Sequence, residues 1–127
     1  MLLVYMSFTG NVRNFVERTG FSSIELNPAN PFIEINEPFL VVVPSYVGYI
    51  NDDVIDFIDY KQNRNNLIGF VGSGNRNFDE MFCINAKELA NKYQKPVIFK
   101  FEYNGTEQDI EKFKKEVKSI GISGTKY

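Results

Sequence analysis

Ser7, Phe8, Thr9, Gly10 and Asn11 stand between a short apolar run, Leu2 to Met6, and an amphipathic stretch, Val12 to Arg18. Residues of these types at this spacing suit an anion. The hydroxyls of Ser7 and Thr9 can donate to phosphate oxygens, and Gly10 lets the backbone come close. The first N–H groups of a helix beginning near Val12 have no partner inside it and point outward. No GxxxxGK[ST] pattern occurs in the chain, so no lysine reaches a β- or γ-phosphate. A phosphate monoester fits this loop better than a nucleoside triphosphate. A plain strand–helix turn with a Ser/Thr cap is the alternative reading of the same residues.

The elements that must position this loop alternate between strands and helices. Strands are expected at Leu2–Met6, Ser23–Leu26, Phe39–Val43, Leu67–Gly72 and Pro96–Phe101, with Phe32–Ile35 as an alternating edge excursion. Phe39–Val43 is continuously apolar and is stopped by Pro44, as a buried parallel strand should be. Helices are expected over Val12–Arg18, after a cap at Asn51-Asp52-Asp53, and from about Phe78 to Lys92. A last helix follows the capping-box pattern Thr106 to Asp109 and is expected to stop at Gly121, with a frayed tail beyond. Asn63 to Asn66 reads as a polar loop.

This succession predicts one α/β domain over residues 1–127, a three-layer sandwich; because the anion loop follows strand one, its five parallel strands are expected in the order 2-1-3-4-5. Ligand then belongs at the carboxyl ends of strands one and three. Three loops meet at that edge: Ser7–Asn11 leading into Val12, Pro44-Ser45-Tyr46-Val47-Gly48-Tyr49, and Ser73-Gly74-Asn75-Arg76-Asn77-Phe78 with Asp79 beyond. The first suits phosphate. The tyrosines of the second and Phe78 of the third could sandwich a flat heteroaromatic ring, with backbone and amide groups along its edge. Flavin mononucleotide (FMN) meets all three requirements. Taken singly, each of these aromatics reads more readily as an ordinary core or surface residue than as a flavin contact; it is their convergence with the phosphate loop that favours flavin.

Composition narrows the classes further. The chain has 127 residues, 43% hydrophobic and 24% charged, with a formal net charge of −2. That balance argues against nucleic acid as a partner. No stretch reaches the ~20 apolar residues of a membrane span, and no signal peptide is evident. Cys83 is the single cysteine, which fits a reducing cytoplasm and excludes an internal disulfide. It reads as a buried structural thiol within the fourth-strand helix; a redox role would need a cation beside it, and Arg76 is the only one near in sequence. Histidine is absent, which removes Ser-His and Cys-His chemistry and, with one cysteine, a zinc site.

Three stretches carry a family resemblance. Gly72-Ser73-Gly74-Asn75-Arg76-Asn77-Phe78, with Phe82 four residues on, resembles the G/A-S-G-N-R-N-[FW] segment of NrdI, the flavodoxin-like FMN protein of class Ib ribonucleotide reductase. Ser7 to Arg13 with Phe15 is similar to the family's first loop. Pro96-Val97, then Lys100 to Thr106 with Asp109, is similar to its last strand and turn. Two positions depart from the pattern. Asp79 stands where members usually carry Gly; its carboxylate could lie near a flavin rim or simply cap the following helix. The second loop lacks the usual Thr- and Gly-rich run with a Phe-Gly pair.

The resemblance implies that reduced FMN reacts with dioxygen and passes superoxide or peroxide to the dimanganese site of the reductase's radical-generating subunit. It also implies a flavin-reducing protein as a second partner. No side chain then acts as catalytic acid, base or nucleophile, and no metal is held. Tyr46, Tyr49 and Arg76 are candidates for the docking rim, Arg76 being equally readable as a solvated loop residue. Two other readings stay open: a generic flavodoxin electron carrier, and a flavin-free response or adaptor domain. A receiver domain, however, would carry paired acidic residues where Met6-Ser7 stand.

Overall fold

The apolar runs at the centre of the chain divide their side chains between two faces. A computed structural model describes residues 1–45, 50–75 and 83–123. Among these are strands β1 (Leu2–Tyr5), β2 (Ser23–Glu25), β3 (Phe39–Val43), β4 (Leu67–Gly74) and β5 (Val97–Glu102). The helices are α1 (Asn11–Thr19), α2 (Ile50–Asp59), α3 (Asn63–Asn66), α4 (Ile84–Tyr93) and α5 (Glu107–Ser123). All strand pairs are parallel and the order is β2-β1-β3-β4-β5, as expected.

Successive strand residues point to opposite faces, so both faces of β1 and β3 are apolar. Leu2, Val4, Phe39, Val41 and Val43 pack with Val54, Phe57 and Ile58 of α2 and Ala86, Leu89 and Tyr93 of α4. Leu3, Tyr5, Leu40 and Val42 pack with Val12, Phe15 and Val16 of α1 and Ile110, Phe113 and Val117 of α5. The result is a three-layer sandwich. In β4 the pairing skips Ile68 between Leu67 and Gly69, so Leu67 and Phe70 both reach the α2/α4 side. At Gly72 a Cβ would lie 2.9 Å from the Cβ atoms of both Cys83 and Ala86. Glycine there lets α4 lie close on the strand, over a fully buried Cys83.

The first and last helices have the local chemistry their sequences suggest. Gly20 ends α1 at φ 77°, a conformation glycine holds without strain. Thr106 and Asp109 form a reciprocal box: the Asp109 N–H donates to Thr106 Oγ1 at 3.0 Å, and the Thr106 N–H to Asp109 Oδ2 at 2.9 Å.

Five expectations need correction. Phe32–Ile35 forms no strand, although Ile35 is buried and Ile33 packs on the core. Its backbone is satisfied by amide side chains instead of a neighbouring strand. The Ile35 N–H donates to Asn63 Oδ1 at 2.8 Å, and Asn63 Nδ2 donates to the carbonyls of Ile33 and Phe57, each at 2.8 Å. Asn63–Asn66 is accordingly the one-turn helix α3, with Asn63 fully buried, not a solvated loop. Helix α5 runs through Gly121 to Ser123, because glycine inside a helix weakens it without ending it. Cys83 precedes α4 at φ 57° and is not within it. Asn51, Asp52 and Asp53 form the first turn of α2, which begins at Ile50. Among the described residues no helix is long and apolar enough to cross a membrane.

Candidate functional site

The turn from β1 into α1 is built by its own hydroxyl. The N–H groups of Gly10 and Arg13 donate to Ser7 Oγ at 3.2 and 3.3 Å. Gly10, at the position flanking the helix, has no side chain to cap with and takes φ 91°, which favours glycine. Ser7 therefore replaces the missing cap from three residues upstream. Its oxygen is occupied by the backbone, while its hydrogen remains able to donate outward. The N–H groups of Asn11 and Val12, in the first turn of α1, have no carbonyl within the helix to serve. No acidic residue lies in that turn, so the positive end of the helix dipole is unopposed there. Val12 points its side chain into the core and offers only its backbone; Phe8 and Thr9 are exposed.

The nearest charges cancel. Arg13 grips Glu25 with two bonds, Nε to Oε1 at 2.8 Å and Nη2 to Oε2 at 2.6 Å, and the Tyr5 hydroxyl donates to Oε1 at 3.2 Å. The Arg13 bond holds the Glu25 carboxyl below its ordinary pKa, and burial, then Glu25, raises that of Tyr5.

A second set of bonds laces the ends of β3, β4 and β5. Ser45 Oγ donates to the Ser73 carbonyl at 2.6 Å, and Ser73 Oγ donates to the Tyr103 carbonyl at 2.6 Å. The Tyr103 N–H donates to the Gly74 carbonyl at 3.1 Å, and Asn75 Nδ2 to the Tyr103 hydroxyl at 2.8 Å. The turn holding Tyr103 is tied back to α1. Arg18 Nη2 donates to the carbonyls of Asn104 and Gly105, and Asn104 Nδ2 donates to Asn14 Oδ1 at 3.2 Å. Gly105 sits at φ 76°, where a Cβ would lie 2.8 Å from Phe15 Cδ2.

Between these two sets lies a cleft of about 210 Å³ lined by Thr9, Asn11, Pro44, Ser45, Ser73, Gly74, Asn75 and Tyr103. None of these lining residues is charged. The cleft can thus take an anion at its Thr9–Asn11 end and hydrogen-bonding groups along its Ser73–Asn75 side. All but Tyr103 are residues singled out by the sequence. Ser7, Phe8, Gly10 and Val12 belong to the first loop without lining the cleft. Tyr46, Val47, Gly48, Tyr49, Arg76, Asn77, Phe78 and Asp79 lie outside the described residues, as does Phe82. Tyr103 is the residue that sequence reasoning missed as a site member. Its signal is an aromatic in the short Glu102–Gly105 turn, directly after a strand at the same sheet edge.

Comparison with known proteins supplies a further layer. A family profile described as "NrdI Flavodoxin like" matches residues 3–115. "Protein NrdI" of Bartonella tribocorum is 33% identical over 115 residues, covering 87% of this chain and 87% of that one. "Protein NrdI" of Escherichia coli O1:K1 is 35% identical over 123 residues, covering 91% and 90%. Among solved structures, a short-chain flavodoxin associated with a non-canonical PDU bacterial microcompartment superposes with a TM-score of 0.73. It is 17% identical and covers 96% of each chain. Oxidised Flavodoxin 2 from Bacillus cereus gives a TM-score of 0.62 at 15% identity, covering 91% and 94%. At those identities the two structures speak for the fold alone.

Proposed function

The chain belongs to the NrdI flavodoxin-like family, and from that premise we propose that it is a flavoprotein holding one FMN in the cleft at the carboxyl edge of the sheet. Ser7, Phe8, Thr9, Gly10, Asn11 and Val12 take the phosphate: hydroxyls of Ser7 and Thr9, backbone N–H groups of the turn and of the first helical residues. Ser73, Gly74 and Asn75 border the ring on one side. On the other stand Pro44 and Ser45, continuing into Tyr46, Val47, Gly48 and Tyr49. Asn77, Phe78 and Asp79 complete the third loop.

The observation that carries this reading is the turn at β1–α1. It has N–H groups at a helix start with no partner inside the helix, an exposed Thr9, no acidic residue in the first turn, and a cleft leading away from it whose described lining is uncharged. A doubly charged phosphate fits such a place without a lysine. Bound, reduced flavin supplies electrons to dioxygen, and so the superoxide or peroxide that a class Ib ribonucleotide reductase radical subunit needs to assemble its tyrosyl radical. The chain's own residues bind, orient and shield; with no histidine present, none of them acts as a histidine base. A flavin-reducing protein supplies the electrons, and the work takes place in the cytoplasm.

The test mixes reduced, FMN-loaded protein with oxygen, manganese and the cognate class Ib radical subunit and follows the tyrosyl radical by electron paramagnetic resonance. The signal is expected only when this protein is present. A generic flavodoxin that substitutes fully would replace this reading with that of a general electron carrier.

A further inference from the structure

We infer that Tyr103 is a cofactor-contacting residue, its phenol ring forming the β5-side wall of the cleft against which a flat heteroaromatic ring packs. The inference rests on the flavin reading above and adds a residue to it.

Tyr103 sits at the first inner position of a tight turn, closed by the Gly105 N–H donating to the Glu102 carbonyl at 2.8 Å. Its φ is 53°, a left-handed conformation that glycine holds freely and a bulky residue does not. The fold would be served at least as well by glycine. The ring does not repay its strain through burial either: it is 52% exposed and lies outside both hydrophobic clusters of the described residues. Lys61, Cys83 and Gln94 share this conformation, at φ 51–57°, but of these four described residues only Tyr103 lines the cleft, and strain retained there points to use by a ligand.

The ring is nevertheless held in place. Its backbone is fixed on both sides, N–H to Gly74 and carbonyl from Ser73 Oγ, and its hydroxyl is held by Asn75. A half-exposed aromatic gripped at both ends is a preorganised surface. Tyr103 lines the cleft together with Ser73, Gly74 and Asn75, so this residue borders the space assigned to the ligand. Aromatic faces in contact contribute beyond the area they bury.

The experiment titrates FMN and riboflavin into the full-length protein and into Tyr103→Gly and Tyr103→Phe, following flavin fluorescence, with thermal melts of the ligand-free proteins. Tyr103→Gly should weaken both flavins alike, by about tenfold. It should also raise the emission of bound flavin, since a nearby phenol quenches it, and should leave the melting temperature unchanged or higher. Tyr103→Phe should stay within about twofold of the parent, because the ring is kept. Parent-like affinity and emission in Tyr103→Gly would overturn the inference, as would a lowered melting temperature accompanying the loss. So would an equal loss in Tyr103→Phe, which would put the hydroxyl's bond to Asn75 in the ring's place. A parent protein that binds neither flavin would instead overturn the functional reading itself, and this inference with it.

Discussion

The β1–α1 turn and the Ser45–Ser73–Tyr103–Asn75 lacing face the same cleft but are made differently. The turn is local: Ser7, Gly10 and Arg13 build it within seven residues of chain. The lacing is non-local: its bonds join residues about thirty positions apart, from the ends of three different strands. The local device offers fixed N–H groups for a charge. The non-local one offers a flat, neutral floor. Phosphate selectivity should therefore reside in the first, and affinity for the rest of the ligand in the second.

The largest expected effect lies where the two meet. Phe15, on α1, is fully buried and stacks on Phe101 of β5 with ring centroids 3.8 Å apart, beneath Gly105. Phe15→Ala should cost about 3–5 kcal/mol of stability, measured by urea unfolding. A loss under ~1 kcal/mol would mean that the turn after β5 does not depend on α1 for its support. A smaller effect is expected at Ser73, which donates to the Tyr103 carbonyl. Ser73→Ala should cost about 1 kcal/mol of stability and weaken FMN and riboflavin in equal proportion, read by calorimetric titration of both. A loss confined to FMN would show that the lacing serves the phosphate after all, and the division drawn above would fail.

The same contrast governs what could be read from the sequence. The anion loop followed from residue types within one short stretch, and the strand order from strands alternating with helices once that loop was placed after strand one. The capping box at Thr106–Asp109 was legible for the same reason. What escaped was non-local. Phe32–Ile35 alternates like a strand, yet its backbone partners are amides of Asn63 and Asn66 some thirty residues away. Asn63–Asn66 looks like a solvated loop because nothing in four polar residues announces that the first is buried among those carbonyls. Tyr103 belongs here too: its place in the cleft depends on Ser73 and Asn75, from a strand thirty residues earlier. Gly121 failed for another reason. A glycine ends a helix only where it takes the left-handed conformation itself, as Gly20 does, and composition does not show that.

The most direct test of the account is the affinity of Thr9→Ala for FMN and for riboflavin, which differ by the phosphate alone. Removing one charge-assisted hydrogen bond should cost FMN about 1.5–3 kcal/mol, roughly 10- to 150-fold, and leave riboflavin unchanged. Equal weakening of both flavins, or of neither, would contradict a phosphate site at the β1–α1 turn.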